Sequence, residues 1–119
     1  MAKVRKLTPC ENQGKHHIFV RVIDSNGGGL NNIPVRISWG PNSQDNIIAK
    51  TESKEKGDGF IEYAMFKGTY SVSIDGAKSE VASGITGDFQ VDEACQESGN
   101  AVGNSLFHAS FEVVIQRTF

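Results

Sequence analysis

The sequence predicts an all-β protein, a sandwich of antiparallel sheets, and three observations carry that expectation. Apolar residues recur with a period of two in several short runs. Turn-forming residues punctuate those runs, with 13 glycines and three prolines among 119 residues. No stretch keeps an apolar stripe at helical spacing for three turns. A chain of this length makes one domain with its own core. Residues 1–15 read as an arm lying against that domain, and 16–119 as the sandwich itself.

Within the arm, Val4 and Leu7 are the apolar anchors, and Lys3 to Leu7 has the makings of a short edge strand. From His16 the pattern turns strictly alternating: Ile18, Val20 and Val22 point one way, Phe19, Arg21 and Ile23 the other. Asp24-Ser25-Asn26-Gly27-Gly28-Gly29 then supplies an Asx acceptor and residues tolerant of positive φ, so the chain reverses here. Ile33, Val35, Ile37 and Trp39 share one parity of the next strand, with Arg36 and Ser38 opposite and Pro34 at its entry. Ile47 to Ser53 reads as one weaker strand, and Glu52 to Asp58 as a charged connection into Gly57-Asp58-Gly59. Phe60 to Phe66 has apolar residues on both parities, which implies cover on both sides. After Lys67-Gly68, Tyr70, Val72 and Ile74 face inward from a hairpin return.

Ser79 to Ile85 and Asp88 to Val91 read as short strands or a wandering edge, and Asp92 to Ser105 as a long surface loop tied down by Cys95. The last strand runs from Leu106 to Thr118, with Phe107, Ala109, Phe111, Val113 and Ile115 on one face.

Charge narrows the function classes. With 12 basic and 14 acidic residues the formal net charge is -2, so no long-range field gathers nucleic acid or an anionic membrane. No apolar run approaches the roughly 18 residues of a membrane span. The opening MAKVRKL lacks the apolar block of a signal peptide, so an exported chain would start after a removed leader or leave by another route. The two cysteines, Cys10 and Cys95, share no metal-ligand spacing. A disulfide between them, two unrelated buried thiols and a reactive thiol are the three readings. A bridge would close a long loop worth roughly 4 to 5 kcal/mol in the chain-entropy model, which suits an oxidising compartment.

The run FVRVIDSNGGGLNNIPVRI, then GDGFIEY, then KGTYSVSI resembles bacterial immunoglobulin-like domains of the prealbumin or carboxypeptidase-regulatory type. Val22, Asp24, Gly27, Ile33, Pro34, Val35 and Ile37 match its first part, Thr51, Gly57, Gly59 and Phe60 its middle, and Gly68, Tyr70, Val72 and Ile74 its last. The match covers residues 18–76, about half the chain. It implies an immunoglobulin-like antiparallel β-sandwich of about seven to eight strands. It also implies an accessory domain of extracellular proteins, since such domains serve as stalks, spacers and binding modules. The extension with Cys95 and the long last strand departs from the short pattern.

Catalytic constellations are thin: no nucleophile elbow, zincin motif or phosphate loop occurs. Glu62 with Glu80 or Asp88 is the one imaginable glycosidase pair, and carboxylates in so small a chain are usually solvated strand residues. His16 and His17 point to opposite faces of a strand, so only one of them could join His108 on a metal, and no third ligand is evident. Asp24, Asn26, Asp58, Asp75 and Asp88 sit at turns, where a structural Ca²⁺ is the alternative to a turn-forming role; no other cofactor is expected.

Sugar rings need aromatic platforms flanked by hydrogen-bonding groups. Trp39, Tyr63 and Tyr70 are the candidate platforms, with Arg36, Gln44, Glu62 and Lys67 as nearby polar groups. Parity turns Trp39 and Tyr70 toward the core, which makes Trp39 a core residue or a lid on its end. The expectation is therefore a non-catalytic extracellular or cell-surface module. In its leading form it binds polysaccharide through Trp39, Tyr63, Arg36, Glu62 and Gln44, appended to or acting with a carbohydrate-active or cell-wall enzyme domain. The alternative is a structural assembly protein, such as a virion decoration or cell-surface domain, with Phe19, Ile23 and Val114 as its contact patch and oligomerisation open.

Overall fold

The structure, a computed structural model, describes residues 2–8, 11, 15–65, 68–76, 81–86 and 110–117, and residues 93–95 and 101–104 through their backbone. Its elements are β1 (Ala2–Lys6), β2 (His17–Ile23), β3 (Pro34–Ser38), β4 (Asn46–Lys50), β5 (Glu52–Lys54), β6 (Gly57–Ala64), β7 (Thr69–Ile74), β8 (Ala82–Thr86), β9 (Glu93–Cys95), β10 (Ala101–Asn104) and β11 (Phe111–Gln116). A five-stranded sheet in the order β1-β11-β2-β6-β5 packs on a four-stranded sheet in the order β4-β3-β7-β8, with β9 and β10 as a separate antiparallel pair. The fold is the expected all-β sandwich.

Strand parity builds the core. In β2, Ile18, Val20 and Val22 are fully buried while the residues between them are partly exposed. In β3 and β7, Val35, Ile37, Tyr70, Val72 and Ile74 are buried against them from the other sheet. Val113 and Ile115 of β11 lie beside Val20 and Val22 in the ladder and are fully buried. Each such aliphatic side chain contributes about 1.5–3 kcal/mol of burial, so the interleaved rows hold the two sheets together.

The two main sheets hold nine described strands against the seven to eight expected, and three differences have physical causes. First, the run read as one strand from Ile47 to Ser53 is two strands, β4 and β5, in different sheets. The chain crosses between sheets at Thr51, which is buried. Its hydroxyl donates to Leu30 O at 2.5 Å and accepts from Ile33 N at 3.0 Å, and its carbonyl accepts from Asn32 N at 2.7 Å. Thr51→Val keeps the shape but leaves that buried amide and carbonyl without the hydroxyl. We expect a loss of about 2 kcal/mol, read as a lower urea midpoint at unchanged slope.

Second, the last strand is not antiparallel to all its neighbours. β11 inserts between β1 and β2, antiparallel to the first and parallel to the second. Third, the stretch read as a long loop from Asp92 to Ser105 contains the β9–β10 pair, with Ala101 opposite Cys95 and Val102 opposite Ala94. Runs of three and four residues are too short to show a period. Phe66, Lys67, Ser79, Glu80, Asp88, Phe107, His108 and Ala109 lie outside the described residues, as does Cys10; Cys95 is described only through its place in β9. The Cys10–Cys95 bridge therefore falls outside the described residues.

One contact ties the β2–β3 loop to β6. Gly29 bridges back to Ile23, and its Cα faces the Asp58 carbonyl so closely that an added Cβ would stand 1.9 Å from that oxygen. Asn31 closes the clamp, accepting from Gly59 N at 2.8 Å and donating to Asp58 Oδ1 at 3.2 Å.

Candidate functional site

Two places on the sandwich gather chemistry. At one end, Trp39 leaves β3 with its amide bonded to Asp45 O at 2.9 Å, which folds the turn carrying Gln44 back on the strand. Its ring stacks on Tyr63 from the opposite sheet, with centroids 6.3 Å apart and planes at 10°. Tyr70 completes the triangle at 6.1 Å from Trp39 and 6.0 Å from Tyr63. Tyr70 is buried, whereas Trp39 and Tyr63 are partly buried against the core. Burial, with Tyr70 beside it, pushes the Tyr63 hydroxyl above its ordinary pKa. The three rings close the end of the core by packing on one another.

The polar residues grouped with them by sequence are dispersed. Arg36 lies on the outer face of the four-stranded sheet, where Asp75 Oδ1 accepts from its Nε at 3.1 Å and its Nη2 at 2.8 Å, and Asn46 Oδ1 accepts from Nη1 at 2.6 Å. Glu62 sits on the outer face of the five-stranded sheet, paired in register with Phe19. Gln44 is exposed in its turn. Only Trp39 and Tyr63 meet.

Turn carboxylates are likewise spoken for. Asp24 Oδ1 accepts from Asn26 N at 2.8 Å and Gly28 N at 2.9 Å, and Asp75 holds Arg36. Among the described residues no cluster of three His, Cys, Asp or Glu side chains is placed to hold a metal. His16 Nδ1 lies 2.6 Å from Met65 O, and its ring stacks on His17 at 5.3 Å.

The second place is the outer face of the five-stranded sheet, which forms a hollow of about 700 Å³. Phe19, Phe60 and Val114 line it, with Arg5, Lys15, Lys54 and Lys56 and with Glu11, Glu55, Glu62 and Glu112 around them. The register explains the pattern: one row places Phe19 between Glu112 and Glu62, and the next places Arg21 between Val114 and Phe60. The Arg21 guanidinium lies 5.2 Å from the centre of the Phe60 ring, and its Nε is buried without a hydrogen-bond partner among the described residues.

Arg5 anchors the far side, bonded to Glu11 Oε1 at 2.8 Å and reaching Glu112 Oε2 at 3.5 Å. That guanidinium, with the Thr8 amide, holds the Glu11 carboxyl down to about 2. At the other end of the same face, the His17 ring stacks on Phe19 at 5.8 Å. Burial holds its pKa below the ordinary value, and Glu62 partly opposes that.

Phe19 and Val114 were legible as a patch from strand parity; Phe60 was not. Ile23, the third residue of that patch, pairs with Gly29 and does not line the hollow. Only the β2–β6 register puts Phe60 under Arg21, and no local sequence signal reports it.

No family model and no curated protein matches the chain. Among solved structures, a C-terminal fragment of the pilus adhesin SpaC from Lactobacillus rhamnosus GG is similar over 90% of this chain and 47% of its own, at 12% identity and a TM-score of 0.43. An iodide-soaked crystal of that fragment is similar over 88% and 46%, at 11% identity and a TM-score of 0.35. A structure of SpaC itself is similar over 87% of this chain and 15% of its own, at 16% identity and 0.36. The chain thus spans about half the length of the first two.

Proposed function

We propose that the chain is a non-catalytic structural module of an extracellular or cell-surface assembly, which seats a neighbouring protein domain on the outer face of its five-stranded sheet. The hollow on that face carries the reading. It combines an aromatic and aliphatic floor, a guanidinium lying over Phe60, and surrounding charges of both signs. An apolar centre ringed by polar groups is what a protein contact needs. The resemblance of residues 18–76 to immunoglobulin-like accessory domains supports the same class and the same setting.

Polysaccharide binding fits less well, because Trp39 and Tyr63 already stack on each other and Arg36 is engaged with Asp75. The test is hydroxyl-radical footprinting of the isolated chain against the assembly purified from its natural source. Labelling of Phe19 and Phe60 is expected to fall several-fold in the assembly, while the exposed Val81, just before β8 of the other sheet, serves as a reference. Unchanged labelling at Phe19 and Phe60 would overturn the proposal. Retardation in a β-glucan, chitin or peptidoglycan affinity gel that Trp39→Ala abolishes would overturn it too, moving the site to the aromatic end.

A further inference from the structure

The four-stranded sheet ends on β4, whose ladder with β3 runs unbroken from Pro34–Lys50 to Ser38–Asn46. The flanking bonds, Trp39 N to Asp45 O and Thr51 N to Ile33 O, fix which backbone groups face which way. Antiparallel pairing alternates, so Ile47 and Ala49 turn their amides and carbonyls toward β3, while Asn46, Ile48 and Lys50 turn theirs to the far edge, where no strand pairs among the described residues. Two large apolar side chains stand on this edge, Ile47 at 37% and Ile48 at 49% exposure.

Other edges carry devices against strand addition. A second copy of β1 paired about Val4 would set Lys3 against Arg5, cation on cation. β5 has three residues, all exposed and polar, with an irregular register. β8 has an irregular register against β7 and Gly84 at φ 72°. β4 has none of these, and its centre, Ile-Ile-Ala, is apolar.

We propose that β4 is a self-association edge, pairing antiparallel with β4 of a second copy about a twofold axis at Ile48. The pattern is self-complementary. With Ile48 opposite its own copy, Ile47 falls beside Ala49 of the second copy on the core side, and Asn46 opposite Lys50 on the outer side. No like charges meet, and every outward amide and carbonyl of Asn46, Ile48 and Lys50 gains a partner. Arg36, the cation nearest Ile48 in register, is held by Asp75 and Asn46 and leaves the edge clear. Two four-stranded sheets become one of eight.

Sedimentation velocity from about 10 μM to about 1 mM tests it, in the range expected for a small interface. A reversible dimer is expected. Ile48→Lys sets two ammonium groups at the axis, and Ile48→Pro removes an outward amide that β3 does not use. Each is expected to weaken the dimer at least tenfold while leaving the thermal midpoint of the monomer near its wild-type value. A wild-type chain that stays monomeric at the highest concentration, or a dimer that survives both substitutions, would overturn the proposal. Phe19→Asp, in the hollow of the other sheet, is expected to leave the dimer intact, which separates this contact from the seat proposed for a neighbouring domain.

Discussion

Gly29→Ala is expected to destabilise the fold by about 4 kcal/mol or more, among the largest effects of any conservative substitution in the chain. The new Cβ would lie 1.9 Å from the Asp58 carbonyl oxygen and 2.5 Å from its carbon. Both obstacles are backbone, so no rotamer change relieves them. The loop must back away from β6, and in doing so it releases the Ile23–Gly29 bridge and the Asn31 bonds to Gly59 and Asp58.

Gly59→Ala should behave alike, since its Cβ would meet Val22 O at 2.6 Å and Leu30 N at 2.8 Å, at a φ of 87° that L side chains rarely adopt. Gly27→Ala is the control: it has φ 86° but open space around it, so only the conformational cost of about 1 kcal/mol applies. Urea midpoints of the three variants check the ranking. A Gly29→Ala protein no weaker than Gly27→Ala would mean that the loop and β6 do not approach as described.

Those same positions mark the boundary of what the sequence reveals. Parity in β2, β3 and β7 names the core residues because a strand's period is local and a half-buried sheet enforces it. The turn at Asp24 is legible for the same reason: its carboxylate bonds its own loop at Asn26 and Gly28. Gly29 and Gly59 read as generic turn residues, and their need to be glycine arises from a contact between segments thirty residues apart. Thr51 looks like an ordinary strand residue between Lys50 and Glu52, yet it is where the chain changes sheets.

For the candidate sites the split is sharper. Neighbours in sequence suggested that Arg36, Gln44 and Glu62 would surround Trp39 and Tyr63, but alternation sends Arg36 and Glu62 to the outer faces of opposite sheets. The hollow is assembled from β2, β6 and β11, with β1 and β5 at its sides, and it exists only once their registers are set.

Ile18→Ala is expected to cost about 3–4 kcal/mol, a lowering of the thermal midpoint by more than about 10 °C. Ile18 is fully buried at the centre of a row, with Phe111 of β11 on one side and Tyr63 of β6 on the other. Both neighbours are large rings on backbones fixed by ladder bonds, so neither can slide in to fill the space left by the missing carbons. The cavity penalty therefore adds to the lost transfer energy. The loss also removes lateral support from Tyr63, which stacks on Trp39, the one tryptophan in the chain. Tryptophan emission in the folded variant should thus shift red relative to wild type before any unfolding, and the urea slope should stay the same. An unshifted spectrum together with a loss under about 1 kcal/mol would mean that the row relaxes around the gap. The aromatic end would then be held by the Trp39–Tyr63–Tyr70 contacts alone, independent of the core strand beneath them.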